Sequence, residues 1–195
     1  MRLPGIAGLS VAACSVNVMG ERVLLVVDVQ VDVMEESVGS DAVIANVAKL
    51  VEAARAADVP VVWVQHSDAG LAKGSAEWQI VPQLSPADDE AIVHKTWSDS
   101  FVETDLAQQL EALGAREIVL AGAQTDACIR STFYGGIHRG YDVTLVSDAH
   151  TTGDMRERGA EFSPEQSIAV LNEHAASTKQ PAATGAVTTT AEAFA

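Results

Sequence analysis

Three residues of the chain are of types that together make a covalent catalyst: Asp28, Lys95 and Cys128. A thiol is a good nucleophile only as its thiolate. An ammonium beside it stabilises that charge. A carboxylate within reach can take the thiol proton and later return it to a leaving group. Cys128 closes the run Gly122-Ala123-Gln124-Thr125-Asp126-Ala127-Cys128, in the first turn of an expected helix. Backbone N–H groups there lack partners within the helix and favour an anion, so they can double as an oxyanion hole. Taken singly, each residue has an ordinary reading. Cysteine on a helix is usually core, an aspartate after a strand often shapes a turn, and a lysine is normally a solvated charge. Their joint placement decides between the two readings.

That placement follows from the elements. Val23 to Val27 is a continuous apolar run, as expected of a strand buried on both faces, and it ends at Asp28. Asp41 to Ala57 reads as a helix, with Ser40 or Asp41 able to cap its start. Further runs at Val61 to Val64 and Ala91 to Val93 read as strands, the second ending at His94-Lys95; the segment from Gln65 to about Asp89 is a long loop. Asp105 to Leu113 reads as a helix stopped by Gly114, and Glu117 to Ala121 as a strand closed by Gly122. A helix follows over Thr125 to Arg139, then a strand over Tyr141 to Val146 and a helix from Pro164 to about Ala176. Ala186 to Thr190 has strand propensity. Alternating strands and helices imply an α/β fold of three layers, α/β/α, with a six-stranded, mostly parallel, doubly wound sheet. Ligands in such sheets bind beyond the carboxyl ends of the strands, where Asp28, Lys95 and the helix of Cys128 all fall.

Composition bounds the rest. A chain of 195 residues amounts to about one domain and needs no disulfide staples. Two cysteines make no disulfide framework. A net charge of −15 argues against nucleic acid and against a polybasic membrane contact, and 48% hydrophobic residues argue against disorder. Residues 1–20 are expected to be a disordered leader, with Met19 a candidate start and residues 21–195 the single domain. Val11-Ala12-Ala13-Cys14 has the look of a lipoprotein cleavage site, but the basic start is one Arg2 and the apolar stretch is short. The expected location is therefore cytoplasmic. With no Gly-x-Gly-x-x-Gly turn after Val27, a dinucleotide-binding role is excluded.

Leu25-Val26-Val27-Asp28-Val29-Gln30, His94-Lys95-Thr96 and the block from Gly122 to Thr132 (GAQTDACIRST) together resemble the isochorismatase-like cysteine hydrolases. The resemblance runs from about Arg22 to the C-terminus, the terminal Gly185 to Phe194 included. It implies that Cys128 is the nucleophile, that Asp28 deprotonates it, and that Lys95 holds both in register and lowers the thiol pKa. It implies a cis peptide at Ala123–Gln124, with the N–H groups of Gln124 and Cys128 as the oxyanion hole. The expected reaction is hydrolysis of an amide-type C–N bond of a small molecule through a thioester.

Metal-bearing nicotinamidase-type members carry an Asp-x-His element after the second strand. Here the segment reads Val64-Gln65-His66-Ser67-Asp68, so no metal and no cofactor is expected. Isochorismatases that cleave a vinyl ether lack the cysteine, which disfavours that reaction. The family's Asn-Asp pair after Gln30 is replaced by Val31-Asp32. Gln30, His66, Trp78, Trp97, Phe101 and Phe133, with Tyr134, are the candidate pocket wall, although aromatic residues are often simply core. His138 and His150 are expected to pack or cap. A homo-oligomer, dimer or tetramer, is implied. A catalytically silent scaffold and a redox-sensing thiol remain as alternatives, the latter lacking a resolving cysteine unless Cys14 serves.

Overall fold

The computed structural model describes residues 21–195, and each apolar run of that stretch becomes a strand of one sheet. In chain order the elements are β1 (Arg22–Val27), α1 (Val31–Glu35), α2 (Ser40–Ala56), β2 (Val61–His66), β3 (Ala91–Lys95), α3 (Leu106–Ala112), β4 (Glu117–Ala123), α4 (Arg130–His138), β5 (Asp142–Thr151), α5 (Pro164–Ser177) and β6 (Gly185–Thr188). A π-helical turn, Thr125–Ile129, precedes α4, and a 3-10 turn, Met155–Arg158, follows β5. The expected leader, with Cys14 and Met19, lies outside the described residues.

The strand order is β3-β2-β1-β4-β5-β6, and all five pairings are parallel, in keeping with the mostly parallel, doubly wound sheet expected. Alternation along each strand divides the core into two layers. Leu24, Val26, Trp63, Val119 and Ala121 face α2 through its Val43, Val47, Leu50 and Ala54. Val23, Leu25, Val27, Ile118 and Leu120 face α3, α4 and α5 through Leu106, Leu110, Phe133, Ile137 and Leu171. Helices on both faces make the sheet doubly wound, and the direction of winding reverses between β1 and β4. A crevice opens there, beyond the carboxyl ends of the strands.

Three local departures from expectation have physical causes. The helix α2 is preceded by Gly39 at φ 62°, and neither Ser40 nor Asp41 caps it, because both lie inside the first turn. The short α1 went unread, since five residues carry too little periodicity to register. The strand β5 continues through Ser147-Asp148 to Thr151. A register shift in β4 between Leu120 and Gly122 re-pairs Gly122 with His150 and Ala123 with Thr151, so backbone pairing carries the strand past its polar residues. At the C-terminus the Arg22 side chain donates to the Ala193 carbonyl at 2.8 Å and lies over the Phe194 ring, tying the tail to β1. No helix among the described residues is long and apolar enough to cross a membrane.

Candidate active site

Each strand end places one group. Asp28 is the first residue past β1, held at φ 53° in the left-handed region, which Asp tolerates better than most residues. Its N–H donates to the Val64 carbonyl at 2.9 Å, which fixes that turn against β2. β3 is an edge strand, and its period of two buries Val93 and Lys95 while exposing Ile92 and His94. Lys95 therefore points inward although it is charged. In β4, Gly122 sits at φ 125°, and a Cβ there would lie 1.9 Å from the Val27 carbonyl oxygen. Only glycine lets β4 pass this close to the end of β1. The Ala123–Gln124 peptide is cis. The chain then enters the π-helical turn, whose Ile129 N–H reaches back to the Gln124 carbonyl at 3.1 Å, in place of the α-turn expected there. Cys128 is carried on that turn.

These three elements converge on one ammonium. Lys95 Nζ lies 2.6 Å from Asp28 Oδ2, 3.1 Å from Cys128 Sγ and 3.3 Å from His66 Nδ1. Asp28 and Lys95 are each only 1% exposed, whereas Cys128 is half-buried. Asp28, His66, Gln124 and Cys128 line a cavity of about 470 Å³ in the crevice. Lys95 donates only, so His66 Nδ1 accepts; its Nε2, 3.3 Å from Asp68 Oδ2, then carries the ring proton. Potential ligand atoms of Asp28, His66 and Cys128 lie within 4.8 Å of one another. The Lys95 ammonium stands among them, so a metal ion would have to displace it.

Electrostatics set the resting proton. Burial alone would lower the Lys95 pKa, but Asp28 and Cys128 outweigh it and the net shift is upward. The Cys128 thiol is pushed up to about 12, by burial first and then by the Asp28 carboxylate, with Lys95 pulling the other way. Lys95 thus lowers the thiol pKa as the family resemblance implies, but burial and the Asp28 charge outweigh it. Two negative charges cannot both be accommodated beside one buried cation, so the resting thiol keeps its proton. Asp28 Oδ2 meets the Lys95 ammonium at 2.6 Å, and the carboxylate lies beside the Cys128 thiol. A carboxylate next to a protonated thiol is poised to act as a base.

The other expected site residues are divided. His66 and Gln124 line the cavity; Gln30, Trp78, Trp97, Phe101 and Phe133 do not. Gln30 is fully buried with its amide engaged: Oε1 accepts from the His66 N–H at 2.8 Å, and Nε2 donates to the carbonyls of His66 and Trp78 at 3.0 and 2.7 Å. It braces the ends of β1 and β2, with no polar group left for a ligand. Phe101 and Phe133 fill the layer between the sheet and α3–α5. Trp97 is 53% exposed and donates to Glu103 at 3.0 Å. Tyr134 lines a separate apolar groove against α5. His150 is buried with both ring nitrogens engaged, to Thr125 Oγ1 at 2.8 Å and Asn172 Oδ1 at 3.0 Å, a packing role as expected. Sequence reasoning missed the carboxylates Asp32, Glu36 and Asp68 at the cavity. The four-residue spacing of Asp32 and Glu36 was the available signal for the first two, had the short α1 been read.

Comparisons with known proteins point to one family. The family model for the isochorismatase domain matches residues 22–193. A secreted isochorismatase effector, Isc1 of Verticillium dahliae, is 34% identical over 136 residues, covering 66% of this chain and 72% of that protein. The ureidoacrylate amidohydrolase RutB of Methylobacterium radiotolerans is 31% identical over 148 residues, covering 59% of this chain and 57% of that protein. The crystal structure of a cysteine hydrolase from Pseudomonas syringae pv. phaseolicola superposes with a TM-score of 0.82 at 27% identity, covering 90% of this chain and 92% of that one.

Proposed function

The chain belongs to the isochorismatase-like cysteine hydrolase family, and from that premise we propose that it hydrolyses an amide-type C–N bond of a small molecule through a thioester on Cys128. The observation that carries the reading is the Lys95 ammonium, buried 2.6 Å from Asp28 and 3.1 Å from the Cys128 sulfur, two residues that line the crevice. Asp28 takes the thiol proton as Sγ attacks the carbonyl carbon. Lys95 keeps its charge throughout and neutralises whichever of Asp28 or Cys128 is anionic. The N–H groups of Gln124 and Cys128 hold the tetrahedral oxyanion. Asp28 then protonates the departing nitrogen, the C–N bond breaks and the acyl group stays on sulfur. Water, losing a proton to Asp28, attacks the thioester; the acid leaves and the thiol recovers its proton. Two easier steps replace one difficult step. The amidohydrolase activity in the name of the RutB relative supports C–N chemistry.

The test is release of ammonia or amine from a panel of small amides, together with mass spectrometry of the quenched enzyme. An added acyl mass on the Cys128 peptide, absent in Cys128→Ala, is the expected result. Equal turnover by wild type and Cys128→Ala would overturn the mechanism.

A further inference from the structure

The cavity above Cys128 is lined by an unusual share of acid. Of its twelve lining residues four are carboxylates (Asp28, Asp32, Glu36 and Asp68), and none is Lys or Arg. In the whole chain 27 of 195 residues are acidic, so the general acidity of the protein does not account for the enrichment. Asp28 is neutralised by Lys95 at 2.6 Å. The other three are not neutralised. Asp32 and Glu36 make no ion pair among the described residues, and Asp68 meets only the ring of His66 at 3.3 Å. The N–H groups of Leu71 and Gly70 hold the Asp68 carboxyl below the usual carboxylate range, so it stays charged. Asp32 and Glu36 lie on one side of the cavity, at and just past α1; Asp68 comes from the loop after β2. An adjoining hollow shares Glu36 and Gln124 and adds Asp154, which is paired with Arg156, and Arg158, a single base against three open acids.

We infer that the substrate is a small amide bearing a positive charge, an ammonium or guanidinium held by Asp32, Glu36 and Asp68 while its carbonyl meets Cys128. The word substrate rests on the hydrolase reading above; the selection for cations stands on the lining residues alone. A cleft lined by one sign of charge raises the local concentration of the opposite ion by about tenfold or more. The same field repels a carboxylate. Ureidoacrylate, the compound in the name of one relative, carries one, so this chain is expected to discriminate against it.

The inference is tested without knowing the substrate by labelling the single thiol of a Cys14→Ser variant with methanethiosulfonates of opposite charge. The cationic trimethylammonioethyl reagent is expected to modify Cys128 about tenfold or more faster than the anionic sulfonatoethyl reagent, each rate normalised to a free thiol. Because both reagents use the same thiolate, its pKa cancels from the ratio. The ratio should fall towards one in Asp32→Asn/Glu36→Gln/Asp68→Asn and in high salt. A wild-type ratio at or below one overturns the inference and leaves the hydrolase reading intact. A second arm compares ammonia release from 5-aminopentanamide, hexanamide and glutaric acid monoamide. The expected order of kcat/KM is cation, neutral, anion. Equal rates or the reverse order overturn the inference. Cation-selective labelling with no turnover of any amide supports the charge selection and counts against the hydrolase reading.

Discussion

Two carboxylates, the buried Asp28 and the half-buried Glu90, stand at opposite ends of the sheet, and their surroundings differ in one respect. At the amino ends of the strands, Glu90 accepts from Arg55 Nε and Nη2 at 2.8 Å each, from Trp63 Nε1 at 2.7 Å and from the Ala87 N–H at 2.9 Å. At the carboxyl ends, Asp28 meets the Lys95 ammonium at 2.6 Å and stands beside the Cys128 thiol. Burial works to raise the Glu90 pKa, but Arg55, Ala87 and Trp63 outweigh it and hold it below the usual range. Four donors leave a carboxylate nothing to do but stay ionised and hold three segments together. One cation and a neighbouring thiol leave it able to take a proton. Ion pairing alone does not separate a structural charge from a chemical one; whether a proton donor such as the Cys128 thiol stands beside it does.

Breaking the open end should abolish chemistry and spare the fold. Cys128→Ala is expected to lower amide turnover by on the order of a thousandfold or more, with a melting temperature near that of wild type, checked by calorimetry. Asp28→Asn keeps the shape and removes the base; turnover should fall roughly 10²–10⁴-fold. Gln30→Ala is intermediate. It frees the backbone groups of His66 and Trp78, and should cost about 1–3 kcal/mol of stability and about tenfold in turnover as His66 and Asp28 shift. The closed end should respond in the opposite way. Glu90→Ala leaves Trp63 Nε1 and Arg55 without their acceptor, and is expected to cost about 1–3 kcal/mol in urea unfolding with kcat/KM unchanged. Its sign with pH follows from the depressed pKa. The Glu90 contribution is fully present above the unfolded value of about 4.3 and is lost as pH falls through the lower folded value. The stability gap between wild type and Glu90→Ala should therefore close on acidification.

The six strands and the meeting of Asp28, Lys95 and Cys128 were legible because they rest on signals that survive without tertiary detail. Val23 to Val27 and Ile118 to Ala121 are continuous apolar runs, and the residues that end them, Asp28 and Gly122, lie side by side in the fold. The pocket wall was less legible. Whether Trp97 or Phe101 meets ligand or core depends on where a loop crosses the sheet edge, and residue type does not encode that. The engaged amide of Gln30 was equally hidden, since its partners are backbone groups of His66 and Trp78 brought in by long-range pairing. The pull of Lys95 on the thiol was legible from residue type, whereas burial and the opposing charge of Asp28 depend on tertiary packing.

The central claim is that one proton is shared between Asp28 and Cys128 across Lys95. Its most direct test is the rate of Cys128 alkylation by iodoacetamide against pH, in wild type and Asp28→Asn, both on a Cys14→Ser background. Wild type should titrate far above the free-thiol value of about 8.5, towards about 12. Asp28→Asn removes the carboxylate that opposes the thiolate and keeps the ammonium that favours it. Its profile should move to lower pH, with faster alkylation at neutral pH although hydrolysis is lost. A wild-type thiol titrating near 8.5 and unmoved by Asp28→Asn would contradict the account.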